Sequence, residues 1–150
     1  MLECRGIVLT IDKEAVARIG GRAVVDMINA AGKILEADVK QMLSVPGTAG
    51  PRTGRTYDKG KKQHTASAPG EPPAVDTGRL RNSIVTQAYD GGKVARIGPS
   101  ATVNYAAELE DGIPGEMAPR PYLRPVIDRY AGNDNLARRA ADHARKLGRV

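Results

Sequence analysis

The sequence predicts an α+β fold: a long N-terminal helix, a small antiparallel β-sheet or hairpin, a C-terminal helix and a long basic loop. Three observations predict it. Apolar residues recur at steps of three and four from Lys13 to about Leu43, the period of one helix face. Two alternating runs, Ser83 to Tyr89 and Lys93 to Gly98, flank Asp90-Gly91-Gly92, which has the composition of a tight hairpin turn. Between helix and hairpin lies a stretch rich in Pro, Gly and cations, from Pro46 to Val75, with neither helical nor strand period.

In chain order, Glu3 to Thr10 reads as a strand, after which Thr10 or Asp12 offers an oxygen to cap the helix. The helix face is expected to carry Val16, Ile19, Ala23, Met27, Ala31, Ile34 or Leu35, Val39 and Met42. At 1.5 Å per residue it would run about 45 Å, longer than a small domain covers, so part of it is expected to face a neighbour. Gly20, Gly21 and Gly32 lower its propensity and point to close packing of another backbone in preference to a break.

Pro46 ends the helix, and residues 46–75 form the loop, expected to be a flexible basic arm. Arg52, Arg55, Lys59, Lys61 and Lys62 stand there against Asp58; a solvated loop and an arm that touches phosphate or an acidic partner are both readings of that charge. Order is expected to resume at Asp76 with a capped helical turn, Arg79 and Arg81 outward and Leu80 and Ile84 inward. In the returning hairpin strand Val94 and Ile97 are the candidates for burial. Tyr105 to Asp111 reads as a short helix stopped by Gly112, followed by a second Pro/Gly-rich loop, Ile113 to Arg120. Pro121 to Tyr130 is helical with its prolines in the first turn and Leu123, Val126 and Ile127 on the buried face. Asp134 caps a last helix, Asn135 to Leu147, ridged by Arg138, Arg139, Arg145 and Lys146; residues 133–150 are the basic C-terminal helix of what is one domain over residues 1–150.

Composition narrows the function. The chain has 150 residues and a net charge of +6, which brings acidic partners into view. It lacks Phe and Trp, so its core is built from aliphatic residues, and a ring or partner interface is one way to add burial. One cysteine, Cys4, excludes an internal disulfide framework and a multi-cysteine zinc site; it reads as a small buried hydrophobe. No stretch reaches the roughly 18 apolar residues of a membrane span, and no long apolar run follows a basic N-terminus, so neither membrane insertion nor secretion is expected.

Nucleophilic catalysis needs a base, and the two histidines, His64 in the basic loop and His143 in the last helix, both read as solvent-facing. Glu108, Glu110 and Asp111 lie along one short helix, which suits a solvated or partner-facing acidic patch better than a metal loop. Gly54 to Lys62 has five residues between its glycines and no Ser or Thr after the lysine, so it is not a phosphate-binding loop. The absence of Trp speaks against a sugar cleft. No enzymatic activity, cofactor or metal is expected, and binding is the more economical reading.

Three stretches stand out together: Pro73-Ala74-Val75-Asp76-Thr77-Gly78-Arg79-Leu80-Arg81-Asn82-Ser83-Ile84, Tyr105-Ala106-Ala107-Glu108-Leu109-Glu110-Asp111-Gly112, and Met117-Ala118-Pro119-Arg120-Pro121-Tyr122-Leu123-Arg124-Pro125. In this order they resemble the small neck or tail-component proteins, of head-tail joining or tail-completion type, of long-tailed bacteriophages. Tyr122 stands where the family usually has Phe, and Glu110-Asp111-Gly112 replaces a commoner Phe-Gly-Thr ending. The resemblance implies a structural virion protein, assembled in the host cytoplasm and located in the neck. It implies a hexameric or dodecameric ring that joins the head connector to the tail around the channel for double-stranded DNA. Connector, head-completion and tail proteins would be its partners. Under that reading Arg52, Arg55, Lys59, Lys61 and Lys62 line the lumen or dock an acidic partner, Asp76 and Thr77 cap the turn that positions Arg79 and Arg81, and Pro119, Pro121 and Pro125 fix the start of the C-terminal helix. The apolar face of the long helix would supply a heterologous ring contact. A sequence-independent nucleic-acid-binding module is the alternative, and a small hydrolase the third reading.

Overall fold

A computed structural model describes residues 7–10, 21–45, 56–60, 62–131 and 134–146. The fold is α+β, as the sequence predicts. In order it comprises β1 (Ile7–Thr10), α1 (Gly21–Met42), β2 (Thr56–Lys59), β3 (Lys62–Thr65), α2 (Arg79–Ser83), β4 (Ile84–Tyr89), β5 (Val94–Pro99), α3 (Ala106–Asp111), α4 (Arg124–Tyr130) and α5 (Asn135–Lys146). Strands β1, β5 and β4 form an antiparallel sheet with β5 central, Ile97 facing Ile7 on one side and Thr86 on the other. The expected hairpin closes through Asp90, Gly91 and Gly92 at φ values of 49°, 62° and 87°. Gly92 is required twice over, because a Cβ there would also come within 2.6 Å of Val25 on α1.

Helix α1 lies between this sheet and α5. Val24, Ile28, Leu35 and Val39 are buried, together with Ala30 and Ala31. Toward the N-terminus the buried stripe sits one residue on from the expected one: Ala23 and Met27 are only half-buried, and Val24 and Ile28 take the core positions. Adjacent apolar residues leave the sequence pattern indifferent between the two, and the larger β-branched pair fits against Ala95. Val16, Ile19, Gly20, the caps offered by Thr10 and Asp12, and Cys4 lie outside the described residues or side chains.

Over its described residues α1 is 22 residues long and finds cover on a second side. Ala140 and Leu136 of α5 pack onto Ala30, Ala31 and Ile34, so a second apolar side is covered from within the chain. Gly32 bears out the close approach expected of it: a Cβ there would meet Thr86 Cγ2 at 2.6 Å, and the Thr86 hydroxyl donates to the Gly32 carbonyl at 3.1 Å. At Gly21 no described residue lies within 4 Å of the Cβ position.

Three further corrections concern the smaller elements. The loop over residues 46–75 is not without regular structure, since β2 and β3 pair as an antiparallel ribbon with Thr56 opposite Thr65, Lys59 opposite Lys62 and Gly60 turning at φ 63°. Its β-forming Thr56, Tyr57, His64 and Thr65 are masked by the charges between them. In β5, Ala95 and Ile97 are the buried pair and Val94 is half-buried, as the two-residue period of a strand demands. On α4, Leu123 and Val126 enter the core, but Ile127 is 41% exposed because it falls on the next flank of a seven-residue helix. The main core then joins Leu35, Val39 and Leu43 to Leu80, Ile84, Ile97, Val103 and the buried Tyr122.

Candidate binding pocket

The three stretches that carry the family resemblance converge. Glu110, at the end of α3, accepts the amides of Tyr122, Leu123 and Arg124 at 2.8, 3.0 and 2.9 Å, and so caps α4 from a distance. This corrects the reading of the acidic cluster as a solvated or partner-facing patch where Glu110 is concerned; Glu108 and Asp111 are exposed. The Tyr122 hydroxyl donates to the Ala106 carbonyl at 3.2 Å, and the Arg120 amide to the Leu109 carbonyl at 2.7 Å. Gly112 stops α3 as expected and cannot be replaced without conflict, because its φ is 76° and a Cβ would lie 2.7 Å from the Met117 carbonyl oxygen.

The first stretch opens α2. Its N-cap is Gly78, left-handed at φ 76° and without a side-chain cap, where Asp76 and Thr77 were expected; the Thr77 hydroxyl, just before it, accepts the Arg79 amide at 3.3 Å. Asp76 is turned elsewhere, with its Oδ1 3.9 Å from Nδ1 of His64. Leu80 and Ile84 are buried as expected. Arg79 is exposed and donates to the Thr102 carbonyl at 2.8 Å, and Arg81, only half-buried, donates to Asn82 at 3.3 Å.

These elements enclose a cavity of about 570 Å³. Asp76, Thr77, Gly78, Arg79, Leu80 and Arg81 line one side of it. Tyr105, Leu109, Met117 and Arg120 line another, and Leu43 of the α1 terminus also reaches it. Residues 66–75, which sequence reading assigned to a free arm, instead strap across this region: Gly70 donates its amide to Pro119, Val75 to Val45, and the Arg120 side chain donates to the Ser67 carbonyl. Of the remaining motif residues, Pro119 is exposed beside Gly112, Pro121 precedes α4, Tyr122 and Leu123 are in the core, and Pro125 occupies the first turn of α4 as expected. Arg52, Arg55 and Lys61 lie outside the described residues, and Lys59 and Lys62 pair through their backbones at the end of the ribbon.

Two groups of this pocket escaped the sequence. His64 was expected to face solvent, yet its side chain is 11% exposed and lies against Asp76. Ser67 is buried, and its hydroxyl has no hydrogen-bond partner among the described residues. A serine, a histidine and an aspartate thus line one cavity, with no hydrogen bond from the Ser67 hydroxyl to His64 among the described residues. The arrangement suits binding: aliphatic walls, three guanidinium groups and one carboxylate among its described residues.

Two charged clusters away from the pocket fasten the elements that shape it. Glu36 of α1 accepts the amide and the hydroxyl of Thr86 at 3.0 and 2.7 Å and pairs with Lys40 and Lys33. Burial acts to raise its pKa, but Lys40, Lys33 and Thr86 outweigh it and hold the carboxyl at about 2, below the usual 4.5. Asp38, nearly buried, accepts the Tyr130 hydroxyl at 2.5 Å and faces the guanidinium groups of Arg139 and Arg129 at 3.4 and 3.6 Å. Among the described residues no cluster of His, Cys, Asp or Glu could hold a metal ion, and no helix is long and apolar enough to cross a membrane. Comparison with protein-family models, with curated proteins and with solved structures finds no match.

Proposed function

We propose that this chain is a structural subunit of the neck of a long-tailed bacteriophage, a ring that joins the head connector to the tail around the DNA channel. The observation that supports this reading is the convergence of the three resembling stretches. Separated in sequence, they meet through the Glu110 cap, the Tyr122 to Ala106 hydrogen bond and the shared cavity walls.

Ala30, Ala31 and Ile34 of α1 are covered within the subunit, and the ring contact on this reading uses surface that α5 leaves open. Exposed Arg138, Arg145 and Lys146 on α5 offer phosphate neutralisation without sequence readout, as a DNA channel needs. The same basic face favours the second reading, a sequence-independent nucleic-acid-binding module.

Native mass spectrometry and negative-stain imaging of the purified protein, alone and mixed with connector proteins of the particle, test the proposal. A closed ring with a central hole is the expected result, six or twelve subunits on the family resemblance. A monomer that never joins the connector and binds double-stranded DNA tightly at physiological salt, with affinity falling steeply as salt rises, overturns it in favour of the second reading.

A further inference from the structure

We infer that the cavity between α2, α3 and the strap is a binding site for an aliphatic carboxylate. The inference is independent of the ring reading, since it rests on the contents of the cavity. Its volume, about 570 Å³, is that of a small-ligand site. Leu43, Leu80, Leu109 and Met117 give it apolar walls of a kind that takes an aliphatic body.

The polar groups select the ligand's charge. Arg79 and Arg81 come from α2, and Arg120 from the segment before α4, so cationic groups reach the cavity from two separate parts of the chain. Asp76 is the single carboxylate among the described lining residues, and His64 stands beside it at 3.9 Å. Among the described residues the side-chain hydrogen bonds of these arginines engage one nitrogen each: Nη2 of Arg79 on Thr102, Nε of Arg81 on Asn82 and Nε of Arg120 on Ser67. Each guanidinium carries further N–H donors, and a carboxylate is the acceptor that a planar fork of donors fits best.

An independent observation points the same way. Ser67 has a buried hydroxyl with no partner among the described residues, in the wall of this cavity. A buried hydroxyl without a partner is unfavourable, so this wall gains if a ligand oxygen reaches it on binding. An aliphatic carboxylate combines both demands. It reaches such a site either as a free acid or as an acidic side chain flanked by aliphatic ones in an extended peptide.

Titration of the full chain with paired probes, followed through the methyl resonances of Leu43, Leu80, Leu109 and Met117, tests the inference. The free-acid arm compares valerate with valeramide; the peptide arm compares the end-blocked pentapeptide Ala-Val-Asp-Val-Ala with its Asn counterpart. At least one carboxylate is expected to bind about tenfold or more tightly than its amide. Arg81→Gln is expected to abolish that preference while circular dichroism and melting temperature stay at parental values, and Arg120→Gln to abolish it with parental circular dichroism and a slightly lower melting temperature, since it gives up the Ser67 contact. Ala74→Leu, which fills the cavity from a wall without touching a guanidinium, is expected to block both probes, and it keeps the test decisive if Arg120→Gln does not fold. Preference confined to valerate assigns the site to a free acid, and preference confined to or stronger for the peptide assigns it to an acidic segment of a protein. Equal binding of each acid and its amide, or the absence of binding in both arms, overturns the inference.

Discussion

Glu110 accepts the main-chain amide of Tyr122 at 2.8 Å across twelve residues, and its two oxygens go on to take the next two amides of the chain. The first turn of a helix leaves its N–H groups without intrahelical acceptors, and here a carboxylate from another helix fills that gap while complementing the helix dipole. Glu110→Ala is expected to cost about 2–3 kcal/mol and Glu110→Gln, which keeps one acceptor, about 1 kcal/mol. Urea unfolding of the two variants checks the order. Equal small losses in both would mean that α4 is held by Leu123 and Val126 alone.

Gly32 and Thr86 meet closely between α1 and the sheet, the Thr86 hydroxyl donating to the Gly32 carbonyl at 3.1 Å. The Thr86 side chain cannot swing away from an added methyl group, because its hydroxyl is bound to both Gly32 and Glu36. Gly32→Ala should therefore destabilise by about 1–2 kcal/mol, overpacking outweighing the gain in helix propensity. Thr86→Ser removes the obstructing methyl and keeps the hydroxyl, so the double variant should recover most of the loss in a thermal melt. A double variant no better than Gly32→Ala alone would place the strain elsewhere.

Glu36 makes stability depend on acid. Its folded pKa, about 2, is lower than the ordinary 4.5, so its contribution is fully present above pH 4.5 and is lost as pH falls toward about 2. Glu36→Gln should be less stable than the parent at neutral pH, and the gap in melting temperature should narrow steadily below about pH 4.5. A gap that stays constant down to pH 2 would contradict the assignment.

Asp38 distributes its contacts unequally. Arg129 and Arg139 are each about half exposed, so their ion pairs are screened, whereas the Tyr130 hydroxyl is bound directly to a carboxylate that is 10% exposed. Tyr130→Phe is expected to cost about 1–2 kcal/mol, and Arg129→Gln less than about 0.5 kcal/mol. Urea midpoints compared at low and high salt check both, with only the arginine variant's small effect sensitive to salt.

What could be read in the sequence was whatever local chemistry decides. The turn at Asp90-Gly91-Gly92, the stop at Gly112 and Pro125 in the first turn of α4 each follow from backbone preferences of the residues concerned, and the structure has them so. What escaped depends on partners far along the chain. Nothing around Glu110 indicates that its acceptors are needed twelve residues later, and nothing around His64 indicates that residues 66–75 fold back to bury it beside Asp76. The buried stripe of α1 was misplaced by one residue at Ala23 and Met27 because Val24 and Ile28 are also apolar, and only the sheet chooses between them. Of the candidate site, the motif residues were named but their meeting around one cavity was not foreseen, since it requires the strap and α1 as walls.

The packing of α5 on α1 also sets an order of events during synthesis. Asp38 and its contact Arg139 are 101 residues apart, and the cover for Ala30 and Ala31 comes from the same late helix. At the usual 5–20 residues per second, a ribosome delivers that cover about 5–20 s after α1 itself. For that interval the nascent chain carries an uncovered alanine and isoleucine seam, open to chaperones or to the equivalent seam of another nascent chain, and it closes only when α5 is made.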